Sequence, residues 1–252
     1  MLHFRIEGDG PVIVFLHGFM ESSSMWNYLP LENLPFRKIF IDLPGHGKSF
    51  LNPTFDKPSL DYFLSEVIAV LTALDIKQFH AVGHSMGGYV ALLLKEELNA
   101  CEKVVLLNSN FWADNEQKKK DRIRMADIAF KSKRVLINEA IPNLFGEPNK
   151  FPLEIEQLKT EALQMSSESI AYASLAMRER KDFSKPIQNN PTDFFIIHGK
   201  QDRLVQTQEI KDKTPNSTNL MIIENAGHMA HIESPEMVMN YLAKVFPLQY
   251  TL

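Results

Sequence analysis

The stretch Phe79-His80-Ala81-Val82-Gly83-His84-Ser85-Met86-Gly87-Gly88 decides how this sequence is interpreted. It begins with a short apolar run, which has the length and the composition of a buried strand. The helix-forming residues Tyr89 to Leu94 follow it, so Ser85 stands between a strand and a helix. The flanking glycines allow the strand and the helix to pass close to so tight a bend. The stretch therefore predicts a serine hydroxyl lifted out of a sheet, and a serine that only caps the helix is the alternative.

Apolar runs of the same kind recur along the chain, and stretches of helical spacing separate them. They are short and rich in β-branched or aromatic residues: Val12 to Leu16, Lys38 to Ile41, Phe79 to Val82, Val104 to Leu107, Phe194 to Ile197 and Leu220 to Ile223. Between the second and third runs, the apolar residues from Leu60 to Leu74 form one helical stripe. This alternation predicts an α/β fold with a mostly parallel sheet and helices on both faces.

The segment 111–185 breaks the alternation. It contains helical patterns and three prolines but no convincing strand. We therefore predict a core formed by residues 1–110 and 186–252, interrupted by a helical insertion at 111–185. The run Lys118 to Lys120 in this insertion is expected to be a solvated helix face, because a charge run alone carries no site geometry.

Composition narrows the possible partners of the chain. Its 252 residues carry 27 basic and 31 acidic side chains, a net charge of −4, with no block of one sign at either end. This balance argues against nucleic acid and anionic membranes as partners. The only cysteine, Cys101, cannot form an internal disulfide or a cysteine-based zinc cluster, which fits the reducing cytoplasm. The N-terminus lacks the pattern of a signal peptide, and no apolar run reaches the roughly 18 residues of a membrane span. We expect a small-molecule partner, and the oligomeric state is not predicted.

A serine hydroxyl needs a base within hydrogen-bond reach and a carboxylate that orients the base. Asp202 follows the apolar run that ends at Ile197, and His228 follows the run that ends at Ile223. Most of the other histidines have structural explanations, and His84 is expected to point away from the serine in a bend of this kind. The chain order Ser85, Asp202, His228 matches a known hydrolase arrangement. Asp114 is the alternative carboxylate, but Asp202 is favoured because it lies nearer a strand end in a glycine-containing turn.

Acyl transfer also needs two donors for the oxyanion of its tetrahedral intermediate, and backbone N–H groups supply them without rearrangement. The Met86 N–H follows the serine directly. The Phe19 N–H is the second candidate, because His17-Gly18-Phe19 follows the run that ends at Leu16. A plain turn at His17-Gly18 is the alternative.

Together these motifs resemble the α/β-hydrolase superfamily, in particular its small, capped, esterase-like serine hydrolases. The resemblance runs from about Val12 to Phe246. It depends on the stretches His17-Gly18-Phe19, Asp42 to Ser49, Gly83 to Gly88, Gly199 with Asp202, and Gly227-His228.

The resemblance implies hydrolysis of carboxylic esters or thioesters with small to medium acyl groups, without a cofactor or a metal. It also implies that the insertion at 111–185 is a lid and that certain apolar residues line the pocket or, equally, belong to the core: Phe19, Met86, Phe111, Trp112 and Met229. Serine at the bend disfavours the dehalogenases and epoxide hydrolases of this superfamily, which have aspartate there. A carbon–carbon bond hydrolase or lyase and a non-catalytic ligand-binding protein stay open as alternatives. His84 differs from the residue usual in the carbon–carbon bond hydrolases, and Tyr89 differs from the residue usual in the lyases.

Overall fold

The computed structural model describes residues 1–53, 57–214 and 218–247, so residues 54–56, 215–217 and 248–252 of the predicted core lie outside it. Within these ranges, seven strands form one sheet in the order β1-β3-β2-β4-β5-β6-β7. Only β1 is antiparallel to its neighbour. The strands are β1 (Phe4–Glu7), β2 (Val12–Leu16), β3 (Arg37–Ile41), β4 (Phe79–His84), β5 (Cys101–Leu107), β6 (Phe194–Gly199) and β7 (Leu220–Ile223). The predicted mostly parallel sheet is confirmed.

Both faces of the sheet are buried, as the apolar runs predict. In β2, Val14 and Leu16 pack with residues of α1 (Leu60–Ala73) and α2 (Met86–Glu97). Ile13 and Phe15 point to the opposite face, because successive side chains of a strand alternate. The second face is covered by α8 (Ala230–Glu233) and α9 (Pro235–Val245), and the first also by α7 (Thr207–Lys213). The loops at the carboxyl edge of the sheet are thereby held on a rigid scaffold.

Four helices lie between β5 and β6: α3 (Glu116–Ala140), α4 (Pro152–Gln164), α5 (Ser167–Arg178) and α6 (Ser184–Asn189). The Asn115 side chain begins α3 by accepting a hydrogen bond from the Lys118 N–H at 2.9 Å. Non-helical backbone at Ser132 interrupts α3. Apolar residues of α3, α4 and α5 pack against Met20, after β2, and Met229, after β7. This helical segment therefore contacts two of the loops at the carboxyl edge of the sheet.

No described helix has the length and apolar character needed to cross a membrane. The described residues also contain no group of three or more histidine, cysteine, aspartate or glutamate side chains arranged to hold a metal ion. Cys101 is a buried free thiol, and burial raises its pKa to about 12. A thiol that stays protonated at neutral pH is a poor nucleophile.

Candidate active site

Ser85 lies at the strained connection between β4 and α2. Its backbone has a φ of 49° and a ψ of −114°, a region that non-glycine residues rarely occupy. The bend is held on both sides, because the Ser85 N–H donates to the Leu107 carbonyl at 3.0 Å and the Ser109 hydroxyl donates to the Ser85 carbonyl at 2.7 Å. A Cβ atom at Gly87 would lie only 2.2 Å from the Leu16 carbonyl oxygen. Close packing therefore maintains the strain at Ser85, as is common at functional sites.

Asp202 and His228 meet at the carboxyl edge of the sheet, in the loops after β6 and β7. The His228 Nδ1 atom lies 2.7 Å from Asp202 Oδ2. The other carboxylate oxygen accepts the N–H groups of Leu204 and Val205 at 2.8 and 3.1 Å. The Asn108 amide donates both to Asp202 Oδ2 and to the Gly227 carbonyl, at 3.2 and 2.9 Å. With its proton held on Nδ1 by the carboxylate, His228 has Nε2 free to accept another.

Asp202 is an ionised carboxylate at neutral pH. Burial alone would raise its pKa, but the charge and the hydrogen bond of His228 outweigh that cost. His198 and the Leu204 N–H act in the same direction, and the pKa falls to about 2. A negative group in this position stabilises the imidazolium that forms when His228 takes a proton.

Ser85 and His228 line the same cavity, which has a volume of about 310 Å³. The cavity lies between the sheet and the helical segment that follows β5. Phe19 and Tyr89 also line it from the core, and the remaining lining residues are Met20, Glu21, Asn110, Asp114, Lys118, Asp121, Arg122, Met125, Ala140, Asn143, Leu144, Met177, Arg180, Leu204 and Val205. The walls thus combine apolar side chains with a group of charged ones.

Only some of the predicted pocket residues lie in the wall of this cavity. Phe19 lines the cavity, whereas Phe111, Trp112 and Met229 are absent from the described lining. Phe111 and Trp112 pack edge to face within the core that covers one face of the sheet. Met229 is fully buried against the helical segment. Phe111 instead lines a second cavity with Tyr89 and Arg180, and a role of Phe111, Trp112 and Met229 in binding substrate stays a prediction.

The two candidate oxyanion donors lie at the start of α2 and in the loop after β2. Met86 is the first residue of α2, and the N–H groups of a helix's first turn have no intrahelical acceptor. Met86 is completely buried and is not part of the described lining of the cavity, so the role of its N–H as an oxyanion donor stays a prediction. Phe19 lies in the loop after β2 and lines the cavity beside Ser85.

Asp114, the alternative carboxylate, is committed to other partners. It forms ion pairs with Arg180 at 2.5 Å and with Arg122 at 3.1 Å. The Arg180 guanidinium also lies over the Tyr89 ring, 4.4 Å from its centre. This cluster lines the cavity but does not contact His228, so Asp114 does not orient the histidine.

Sequence reasoning missed a buried pair beside these residues, Glu21 and His84. Glu21 Oε2 lies 2.9 Å from His84 Nδ1 and accepts the Gly18 N–H at 2.7 Å. His84 Nε2 lies 2.9 Å from the His228 carbonyl oxygen. The available signal was weak: Glu21 is the only acidic residue in the stretch 10–31.

The pKa of Asp202 makes a prediction about stability. A carboxylate with a lowered pKa stabilises the fold above its unfolded pKa, near 3.8, and this contribution is lost as pH falls toward about 2. Asp202→Asn should therefore cost about 2 kcal/mol of unfolding free energy at pH 7, and the difference from wild type should shrink below pH 4. Urea unfolding from pH 3 to pH 7 measures it. A difference independent of pH would contradict the assignment.

Comparison with known proteins places the chain among enzymes of varied chemistry. It is 26% identical to a 2-succinyl-6-hydroxy-2,4-cyclohexadiene-1-carboxylate synthase of Salmonella heidelberg, over 98% of both chains. It is 27% identical, over 93% of its own length, to the dihydrolipoyllysine-residue acetyltransferase component of an acetoin-cleaving system from Pseudomonas putida. The match covers only 63% of that second relative.

The fold has close counterparts among solved structures. A thermophilic esterase from Thermogutta terrifontis, determined with malate bound, superimposes with a TM-score of 0.84 at 25% identity. The match covers 97% of this chain and 94% of the esterase. A model of the alpha/beta hydrolase family matches residues 13–240, which include every candidate site residue described above. The chain belongs to the alpha/beta hydrolase family.

Proposed function

We propose that this protein is a serine hydrolase that cleaves carboxylic esters or thioesters of small to medium acyl groups. One observation carries the proposal: Ser85 and His228 line a single cavity, and Asp202 holds His228 through a 2.7 Å hydrogen bond. A hydroxyl at a strained bend, an imidazole and an ionised carboxylate supply the groups that nucleophilic acyl transfer needs.

The proposed reaction has two steps, the formation of an acyl-enzyme and its hydrolysis. Ser85 Oγ attacks the acyl carbon while His228 Nε2 takes the hydroxyl proton, and the N–H groups of Met86 and Phe19 stabilise the oxyanion. The bond to the alcohol or thiol breaks, and His228 returns its proton to that leaving group. A water molecule, deprotonated by His228, then attacks the acyl-enzyme and releases the carboxylic acid and the free serine.

The cavity sets the proposed size of the acyl group. Its volume of about 310 Å³ and the apolar part of its wall, which includes Met125, Leu144 and Met177, suit small to medium chains. Met125 and Leu144 come from the segment 111–185, which we propose to be a cap over the site. A cavity of this volume should accommodate long acyl chains poorly.

The proposal is tested by a fluorophosphonate probe and a panel of esters. The probe should attach to Ser85, since only an activated hydroxyl reacts quickly, and mass spectrometry of tryptic peptides locates it. Across p-nitrophenyl esters of two to sixteen carbons, kcat/KM should peak at short or medium chains. A wild-type protein that is neither labelled nor active on any ester would contradict the proposal and favour a ligand-binding protein.

A second candidate function is the cleavage of a carbon–carbon bond, or an elimination, by the same three residues. Relatives named as cyclohexadiene-carboxylate synthases favour it, and so does the Arg122 guanidinium that lines the cavity, since guanidinium groups pair with carboxylates. Carboxylate-bearing diketones assayed beside the esters separate the two. A larger kcat/KM for the carbon substrates would replace ester hydrolysis as the main activity.

A further inference from the structure

Glu21 and His84 form a buried ion pair between the two loops that the proposed mechanism uses. Their side chains are 2% and 1% exposed. Glu21 Oε2 accepts the Gly18 N–H, next to Phe19, and also faces His84 Nδ1. On the other side of the ring, His84 Nε2 faces the backbone carbonyl of His228. The pair therefore connects the backbone of the oxyanion loop to the backbone of the base.

The hydrogen bonds and the pKa shifts together determine the protonation of this pair. A carbonyl oxygen only accepts, so His84 Nε2 carries a proton, and the ionised Glu21 requires a second proton on Nδ1. Burial opposes both charges, but the charge and hydrogen bond of each partner outweigh it. The pKa of Glu21 falls to about 2 and that of His84 rises. The buried pair therefore consists of a negative Glu21 carboxylate and a positive His84 imidazolium, and its net charge is zero.

The surrounding histidines do not add a competing charge. His231 is fully buried, and its ring centre lies 4.9 Å from that of His84. Burial, together with the charge of His84, lowers the pKa of His231 to about 3. Burial also lowers the pKa of His17, whose Nδ1–H donates to the Gly18 carbonyl and whose Nε2 accepts the Leu43 N–H. His84 is therefore the charged imidazole of this cluster and the direct partner of Glu21.

We propose that Glu21 and His84 are positioning residues that set the distance between the oxyanion donors and the base. Through Gly18, Glu21 fixes the loop that offers the Phe19 N–H, and His84 fixes the main chain of His228. Neither side chain is assigned contact with the reacting atoms. This inference rests on the proposed function, because it assigns a purpose to a pair that serves Ser85 and His228.

The packing at Gly18 supports the inference independently. A Cβ atom there would lie 2.6 Å from Glu21 Oε2 and 2.7 Å from His84 Nδ1. The main chain of the oxyanion loop thus rests directly on the pair. The loop is further constrained at Met20, whose φ of 62° is rare for a residue with a side chain. A shift of either partner would move the Phe19 N–H.

The test measures kcat for each active site, counted by stoichiometric fluorophosphonate titration. Glu21→Ala should lower kcat about 10²-fold, the loss that a misplacement of about 1 Å produces, while KM changes less than about threefold. Glu21→Gln should recover most of the rate. Its amide oxygen can accept the Gly18 N–H, and its NH₂ group can donate to Nδ1 of a neutral His84.

Asp42→Asn is the matched control. Asp42 is also buried, also faces a histidine, His3 at 2.9 Å, and also accepts backbone N–H groups, from Ser23 and Lys48. It is absent from the described lining of the Ser85 cavity. Its loss should lower the melting temperature and leave kcat for each titrated site within about twofold. If the role of Glu21 were purely structural, Glu21→Ala would give this same result.

A double-mutant cycle covers the case in which Glu21→Ala does not fold. His84→Gln and Glu21→Leu, whose new side chain can neither donate nor accept a hydrogen bond, should each lower kcat, and the double variant should be no slower than the slower single variant, because coupled residues give non-additive losses. Suppose that the wild type is labelled and active. If the variants then keep the wild-type kcat, or if their losses in kcat add in the double variant, the inference is overturned and the proposed function stays intact. A wild type without label or turnover would instead remove the proposed function itself.

Discussion

Replacing Ser85 with alanine should lower kcat for ester hydrolysis by about 10⁶-fold, the loss seen when a serine nucleophile is removed from a complete triad. Without the hydroxyl no acyl-enzyme can form, and only the oxyanion donors and substrate binding assist direct attack by water. The strained backbone at Ser85, with its φ of 49°, depends on packing around the neighbouring glycines, so the variant should keep its fold. Steady-state assays with a short-chain p-nitrophenyl ester measure the loss, and circular dichroism checks the fold.

Ser174→Ala is the matched control for this substitution. Ser174 is completely buried in α5, and its hydroxyl donates to the Arg122 carbonyl at 2.9 Å. Its removal should cost about 1 kcal/mol of stability and leave kcat nearly unchanged. If Ser85→Ala kept more than a tenth of the wild-type rate, Ser85 would not be the nucleophile, and another group of the cavity would have to act.

Strand positions could be predicted from the sequence because the buried strands are apolar on both faces. The six predicted runs coincide with β2 to β7, with ends shifted by a few residues. The strand β1, Phe4–Glu7, lay outside these runs because Arg5 and Glu7 alternate with apolar residues. Such alternation is typical of an edge strand with one solvated side, and β1 is the antiparallel edge of this sheet.

The candidate residues Ser85, Asp202 and His228 could be predicted for a related reason. Each follows a parallel strand, and the carboxyl ends of parallel strands meet at one edge of a sheet. The residues of the pocket wall could not be predicted in this way, because they depend on how α3 and α5 pack over that edge. The pair Glu21 and His84 was equally hidden, since its partners lie 63 positions apart and neither belongs to a motif that requires the other.

Asp202→Asn should lower kcat about 10⁴-fold, as expected when an amide replaces the carboxylate that selects the tautomer of a catalytic histidine. An amide NH₂ placed against His228 Nδ1 favours the proton on Nε2, where the histidine can no longer accept one from Ser85. The anion that stabilises the imidazolium is lost as well. Both effects act in the transition state, so KM should change little, and steady-state kinetics of the purified variant measure the split.

Asp114→Asn distinguishes this explanation from the alternative carboxylate. Asp114 holds Arg122 and Arg180 at the cavity wall, so its loss should loosen that wall and alter KM while kcat falls by less than about tenfold. The two variants remove the same charge from carboxyl groups that are equally buried, with 4% and 7% exposure. Because only Asp202 contacts His228, an effect of charge alone would be similar in both, whereas orientation of the base predicts a difference of about three orders of magnitude in kcat. A larger kcat loss for Asp114→Asn would assign the carboxylate to the loop after β5.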